Sequence, residues 1–132
     1  MLDASVVFKW FGDEVERGTA AARALEAQYR RGEIQVIVPS LLFLELINIA
    51  ARRRSWPAER LSALAGALLA TRFRIGQPPL ERVAYWAGRG LTAYDACYVA
   101  LAEARRTVVI TADERILAVA SQLSEALAEA PI

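Results

Sequence analysis

Short β-branched runs alternate with helix-spaced apolar positions along this 132-residue chain. Ile34, Val36, Ile37 and Val38 form one run, Phe73 and Ile75 a second, and Val108 to Ile110 a third. Unbroken runs of this kind are expected of strands covered on both faces. Before them, Leu2 to Ser5 predicts a very short strand ending at Asp3, and Val6, Val7, Trp10 and Phe11 then mark one helical stripe. A charged loop, 12–17, leads to an Ala-rich helix over 19–31 on Ala20, Ala24, Leu25, Ala27 and Tyr29, stopped at Gly32.

Pro39 opens the next helix where a missing N–H is harmless. After Ser40 its only polar interruptions before Arg52 are Glu45 and Asn48, three residues apart on one face. A helix apolar nearly all round predicts burial. Pro57 starts a helix through Thr71 whose Ala63, Gly66, Ala67 and Ala70 suit close approach of a second helix, in the core or between subunits. Pro78 and Pro79 break the third strand, and Leu80 to Ala87 forms a short helix ended by Gly88 and Gly90.

The stretch from Leu91 to Leu117 reads as helix, buried strand and the start of another helix, with Asp95 and Asp113 at its two junctions. Ile116, Leu117, Ala120 and Leu123 extend the last helix, and residues 124–132 carry no strand or helix signal. Strands separated by helices, with hardly a hairpin signal, predict a parallel α/β sheet. Without repeat, linker or low-complexity segment, residues 1–132 read as a single domain, a length that buries about two thirds of the unfolded surface.

Composition removes more chemistry than it suggests. The chain has no His and one Cys, which excludes Ser-His-Asp and Cys-His catalysis and any Cys/His zinc site. Cys97 lies on an apolar helix face, as a small core residue would. A net charge of +1 advertises no global polyanion field, so any nucleic-acid contact rests on local arginines. These cluster at Arg30 and Arg31, at Arg52 to Arg54, and at Arg105 and Arg106, where cations also suit helix ends. An acid stands at the start where a signal peptide would be basic, and no apolar run is long enough to span a bilayer. A cytoplasmic protein is therefore expected.

What remains is carboxylate chemistry. Of the four aspartates, Asp3, Asp95 and Asp113 sit where a strand gives way to a helix or in a helix's first turn. Each alone reads as a helix cap, and Thr92 with Asp95 fits a capping box. Together they read differently, because the carboxyl ends of parallel strands form one rim where ligands bind. Asp3 and Asp113 share that rim, and Asp95 and Glu45 are within reach of the same crevice. Two like charges at about 4 Å repel by roughly 4 kcal/mol at an effective dielectric near 20, so several need a cation. Oxygen donors alone select Mg²⁺ or Mn²⁺, and such a site suits phosphodiester hydrolysis.

In its LDAS segment with Asp3, its PSLLFLELIN helix with Glu45, LTAYDACYVALAE with Asp95 and TADERIL with Asp113, the chain resembles the PIN-domain ribonucleases, among them the VapC-like toxins of toxin-antitoxin pairs. The resemblance covers nearly the whole chain. It implies a three-layer α/β/α sandwich on a parallel sheet of four to five strands, and a Mg²⁺- or Mn²⁺-dependent endoribonuclease acting on tRNA or rRNA. Asp3, Glu45, Asp95 and Asp113 would hold the metal, with Ser5, Asn48, Thr92 and Thr111 as hydrogen-bonding supports. A homodimer and a cognate antitoxin reaching into the acidic groove are further implications. Members of that group usually have a few more apolar residues before LDAS and a fifth strand where this tail is Ala/Glu-rich. The alternatives are a PIN-shaped interaction module without catalysis and a phosphoacceptor receiver domain; the latter wants a late-loop Lys, and the only Lys is Lys9.

Overall fold

The computed structural model describes residues 1–127 and orders them as an α/β chain in which every strand pairing is parallel. Helix α1 (Ala4–Phe11) and α2 (Thr19–Arg30) precede β1 (Ile37–Pro39). Then come α3 (Leu41–Asn48), which runs into a π-helical turn (Ile49–Arg53), α4 (Ala58–Ala70), β2 (Arg74–Gly76), α5 (Leu80–Gly88) and α6 (Ala93–Ala104). Strand β3 (Val109–Thr111), α7 (Glu114–Val119), a 3₁₀ turn (Ser121–Leu123) and β4 (Ser124–Ala126) complete it. Strand β1 pairs with β2, β3 pairs with β4, and Leu2 forms a single bridge to Ile110. The predicted strand set is thus present as five short extended segments in two ladders.

The centre of the core is α6. Ala96, Tyr98, Val99, Ala100, Leu101 and Ala102 are all buried, and the three alanines leave room for α5 and β1 to pack closely. Val6 and Val7 of α1, Leu42 and Leu46 of α3, Val109 of β3 and Ile116 of α7 are fully buried around it. A second cluster stacks Trp10, Tyr29 and Phe73 with ring centroids 5.2–6.1 Å apart.

Local chemistry moves several boundaries. The expected strand over Leu2 to Ser5 is reduced to the Leu2 bridge, because the Asp3 carboxylate accepts the Val6 N–H and starts α1 at Ala4. The helix after Pro39 is buried on one side only: Leu42 and Leu46 face the core, while Leu44 is 72% exposed. Apolar composition all round therefore did not mean burial all round. Ala63, Gly66, Ala67 and Ala70 likewise lie on or near the outer face of α4, whose core contacts are Leu64 and Leu68. The last helix stops at Val119 rather than continuing through Leu123. There Ser124 Oγ donates to the Ala120 carbonyl, and the Leu127 N–H bonds the Thr111 carbonyl at 2.9 Å, which draws β4 alongside β3. The fifth segment, unassigned from sequence, is this three-residue strand; residues 128–132 of the tail lie outside the described residues.

Gly76 lets the β1/β2 ladder close over α6. A Cβ there would lie 2.8 Å from Leu101 Cδ1 and 3.2 Å from Ile37 Cδ1, and Leu101 is fully enclosed. Gly76→Ala should lower stability by about 1–3 kcal/mol, read as a reduced urea midpoint with unchanged slope; an unchanged midpoint would show that the core yields at this point.

Candidate active site

Asp3 is 4% exposed, and its carboxylate is held by three donors. Ser5 Oγ donates to Oδ1 at 2.6 Å, the Val6 N–H bonds the same oxygen at 3.4 Å, and Thr111 Oγ1 donates to Oδ2. Both hydroxyls also accept: Ser5 Oγ from the Ala112 N–H and Thr111 Oγ1 from the Asp113 N–H, each at 2.9 Å. The first helix is thereby stitched to the end of β3. Asp113 caps α7 by accepting the Ile116 N–H at 3.0 Å, so capping and site placement coincide in both residues.

Asp95 enters from the first turn of α6. Thr92 caps that helix, its Oγ1 accepting the Asp95 backbone N–H at 3.0 Å, while among the described residues no bond returns from the Asp95 carboxylate to the Thr92 N–H. Glu45 enters from α3 and accepts a hydrogen bond from Tyr98 Oη at 2.5 Å. All four acids line one crevice of about 240 Å³, together with Ser5, Tyr98 and Arg53. A larger cavity of about 570 Å³ near Trp10, Tyr29 and Arg72 has no carboxylate in its wall, so the carboxylate chemistry belongs to the smaller one.

The acids disturb one another. Burial above all pushes the Asp3 carboxyl up to about 6, with the Asp113 charge adding and the three hydrogen bonds opposing. Burial also raises Glu45, helped by the charges of Asp95 and Asp3 and opposed by the Tyr98 bond. Asp95 is raised by burial and then by Asp113, against a hydrogen bond with Thr92 and the charge of Arg115. The Tyr98 phenol is pushed up by burial and next by Glu45, so it stays a neutral donor.

The predicted acids are therefore brought together, as are Ser5 and Thr111. Thr92 supports Asp95 through the backbone, whereas Asn48 is exposed at the end of α3, outside the crevice lining. Tyr98 is not among the residues expected from sequence, and Arg53 is expected only as one of the local arginine cluster Arg52 to Arg54. Tyr98 was findable, since it stands three residues after Asp95 on the same helical face. The lining offers only oxygen ligands, the set that suits Mg²⁺ or Mn²⁺. Among the described residues no three acids are close enough to enclose one ion. That arrangement fits a cation gripped by one or two carboxylates and otherwise by water and substrate oxygens, as Mg²⁺ commonly is.

An open acidic crevice beyond the ends of parallel strands lies where sheets of this kind bind their ligands. The PIN domain family model matches residues 1–122, and the chain belongs to that family, whose members are generally nucleases and typically bind divalent metals. The chain is also similar to PAE2754 from Pyrobaculum aerophilum in its crystal structure, with 25% identity and a TM-score of 0.65 over 96% of this chain and 88% of the other. No curated protein matches the chain.

Two outcomes follow without metal. The folded Asp3 value of about 6 exceeds the unfolded one, near 3.9. The folded state thus holds its proton more tightly, and stability from this group is gained as pH falls below 6 and lost as pH rises through it. Parent protein in chelator should gain melting temperature relative to Asp3→Asn between pH 7.5 and pH 5, and a relative loss would reverse the assignment. At pH 7.5 in chelator, Asp95→Asn should melt at or above the parent, because the Thr92 cap uses the retained backbone N–H. A drop of several degrees would mean that the Asp95 carboxylate is a structural partner.

Proposed function

We propose that this PIN domain is a Mg²⁺- or Mn²⁺-dependent endoribonuclease, the toxin of a type II toxin-antitoxin pair, cutting structured RNA such as tRNA or rRNA. The observation that carries the reading is the convergence of Asp3, Glu45, Asp95 and Asp113, from four separate elements, on one crevice. Three of them are held above their ordinary proton affinity by burial and by each other. Folding tolerates that repulsion where a positive ligand is to arrive.

When bound, a divalent cation supplies charge neutralisation, a more acidic attacking water and a template for the phosphate. Asp3, fixed by Ser5 and Thr111, offers the most rigid grip, and Asp95 and Asp113 complete the negative wall. Glu45 has one oxygen engaged by Tyr98 and accepts the proton of the attacking water on the other. Attack at phosphorus breaks the bond to the 3′ oxygen, leaving 5′-phosphate and 3′-hydroxyl ends. The exposed Leu44 and Leu69, on the neighbouring helices α3 and α4, offer apolar surface for a second copy. The crevice suits an antitoxin segment that presents an Arg to the acids. Cellular RNA makes the cytoplasm its place of action, and no helix among the described residues is long and apolar enough to cross a membrane.

Incubating a folded RNA pool with the protein tests this directly. Mg²⁺ or Mn²⁺ should give discrete cuts that chelator abolishes, and Asp95→Asn should slow them about 100-fold or more. Cleavage indifferent to both changes overturns the mechanism. Neither cleavage nor Mn²⁺ binding would instead leave a PIN-shaped interaction module.

A further inference from the structure

The three consecutive arginines after α3 meet different surroundings. Arg54 lies 5.6 Å over the Phe8 ring and pairs with Glu14 and Glu16. Arg52 is exposed and has no ion-pair partner among the described residues. Arg53 is also exposed, yet it lines the acidic crevice beside Glu45 and Ile49.

The backbone accounts for that difference. At 3.6 residues per turn, a residue eight past Glu45 would stand roughly 80° round the helix from it. The π-helical turn Ile49–Arg53, in which the Arg54 N–H bonds the Ile49 carbonyl at 3.1 Å, takes more residues per revolution. It brings Arg53 back toward the face that carries Glu45. Such single π turns recur at functional sites.

The second observation concerns what Arg53 does not do. A structural arginine in an acidic crevice would fork onto a carboxylate, as Arg82 does onto Glu103 with bonds of 2.6 and 2.8 Å. Arg53 shares its crevice with four acids and makes no ion pair with any of them, nor with any other described residue. A cation held beside the acids but bonded to none is available to an incoming anion.

We propose that Arg53 is a substrate-positioning residue, whose guanidinium takes the non-bridging oxygens of an RNA phosphate next to the one being cut, on the α3 side of the crevice. This rests on the ribonuclease reading above. The planar fork of Arg matches two phosphate oxygens, whereas the Lys ammonium is a point charge. Arg115, two residues after Asp113 in the first turn of α7, lies near enough for its charge to act on Asp95.

The test uses the full chain carrying Asp95→Asn, labelled tRNA and Mg²⁺, with binding read by anisotropy across a salt series and Mn²⁺ affinity read by electron paramagnetic resonance. Adding Arg53→Gln should weaken RNA binding roughly tenfold and lower the slope of log affinity against log salt by about 1. Mn²⁺ affinity should hold or tighten. Arg53→Lys should keep the salt slope while regaining only part of the affinity, and Arg52→Gln, the same charge change one residue away, should weaken binding less than twofold. Equal effects of Arg53→Gln and Arg52→Gln, or a fall in Mn²⁺ affinity with Arg53→Gln, overturn the proposal. If RNA is cut by the parent but bound equally by both variants, the ribonuclease reading stands and Arg53 falls. If the parent neither binds nor cuts RNA, both fall.

Discussion

Much of this molecule depends on how one buried carboxylate is satisfied. A charged group with 4% exposure is costly unless its oxygens are bonded, and the donors of Asp3 come from its own helix and from the end of β3, more than a hundred residues on. Ser5 and Thr111 each donate to Asp3 and accept a backbone N–H of the segment after β3. The same few atoms therefore start α1, bind the chain's beginning to β3, and aim the segment that carries Asp113. The backbone joins in: around the Leu2–Ile110 bridge the Met1 ammonium donates to the Val108 carbonyl at 3.0 Å, the Ile110 N–H to the Met1 carbonyl at 2.8 Å and the Asp3 N–H to the Ile110 carbonyl at 3.5 Å, so main chain and hydroxyls together hold the registry between the start of the chain and β3.

The other three acids show the opposite economy. Glu45 has one donor, from Tyr98, and Asp95 and Asp113 are half-buried rather than enclosed. The proton affinities of Glu45 and Asp95 are raised by burial and by neighbouring carboxylates, and no arginine pairs with any of the three among the described residues. A protein shaped for stability alone would have closed these pairs, since Arg54 and Arg60 do so with Glu14 and Asp13 a short way off. Instead the crevice keeps its negative charge unspent, and that is the condition under which a small divalent cation binds usefully.

Sequence disclosed the parts of this arrangement that follow from local chemistry. Asp3 and Asp113 were legible as junction residues that share a rim, Asp95 and Glu45 as acids within reach of the same crevice, and Ser5 and Thr111 through the family resemblance. The boundaries at Ala4 and Val119 were not, since a capping carboxylate and a hydroxyl-to-carbonyl bond outcompeted the apolar period. Burial in α3 does not follow the pattern, which is apolar all round although Leu44 is exposed. Asn48 shares the i, i+3 relation with Glu45 but sits at the exposed end of the helix, just where the backbone departs from α geometry. That departure has no signature in hydrophobic spacing, and with it went any view of Arg53 at the crevice.

The proposed ribonuclease reading sets a near-neutral chain against a polyanionic substrate, and the arginines resolve that conflict. A net charge of +1 provides little long-range attraction, and an acidic crevice repels phosphates until a cation fills it. Selective contact then depends on where individual guanidinium groups stand rather than on their number. Arg54 and Arg60 are taken up by Glu14 and Asp13 and by the rings of Phe8 and Trp56, which leaves them as packing and pairing groups. Arg53, one residue from Arg54 and turned the other way by a widened helical turn, is the member of that cluster positioned at the acids. A three-residue basic run thus divides into a structural residue, a solvent-facing residue and a residue at the crevice. Backbone register decides which of three identical side chains stands at the acids.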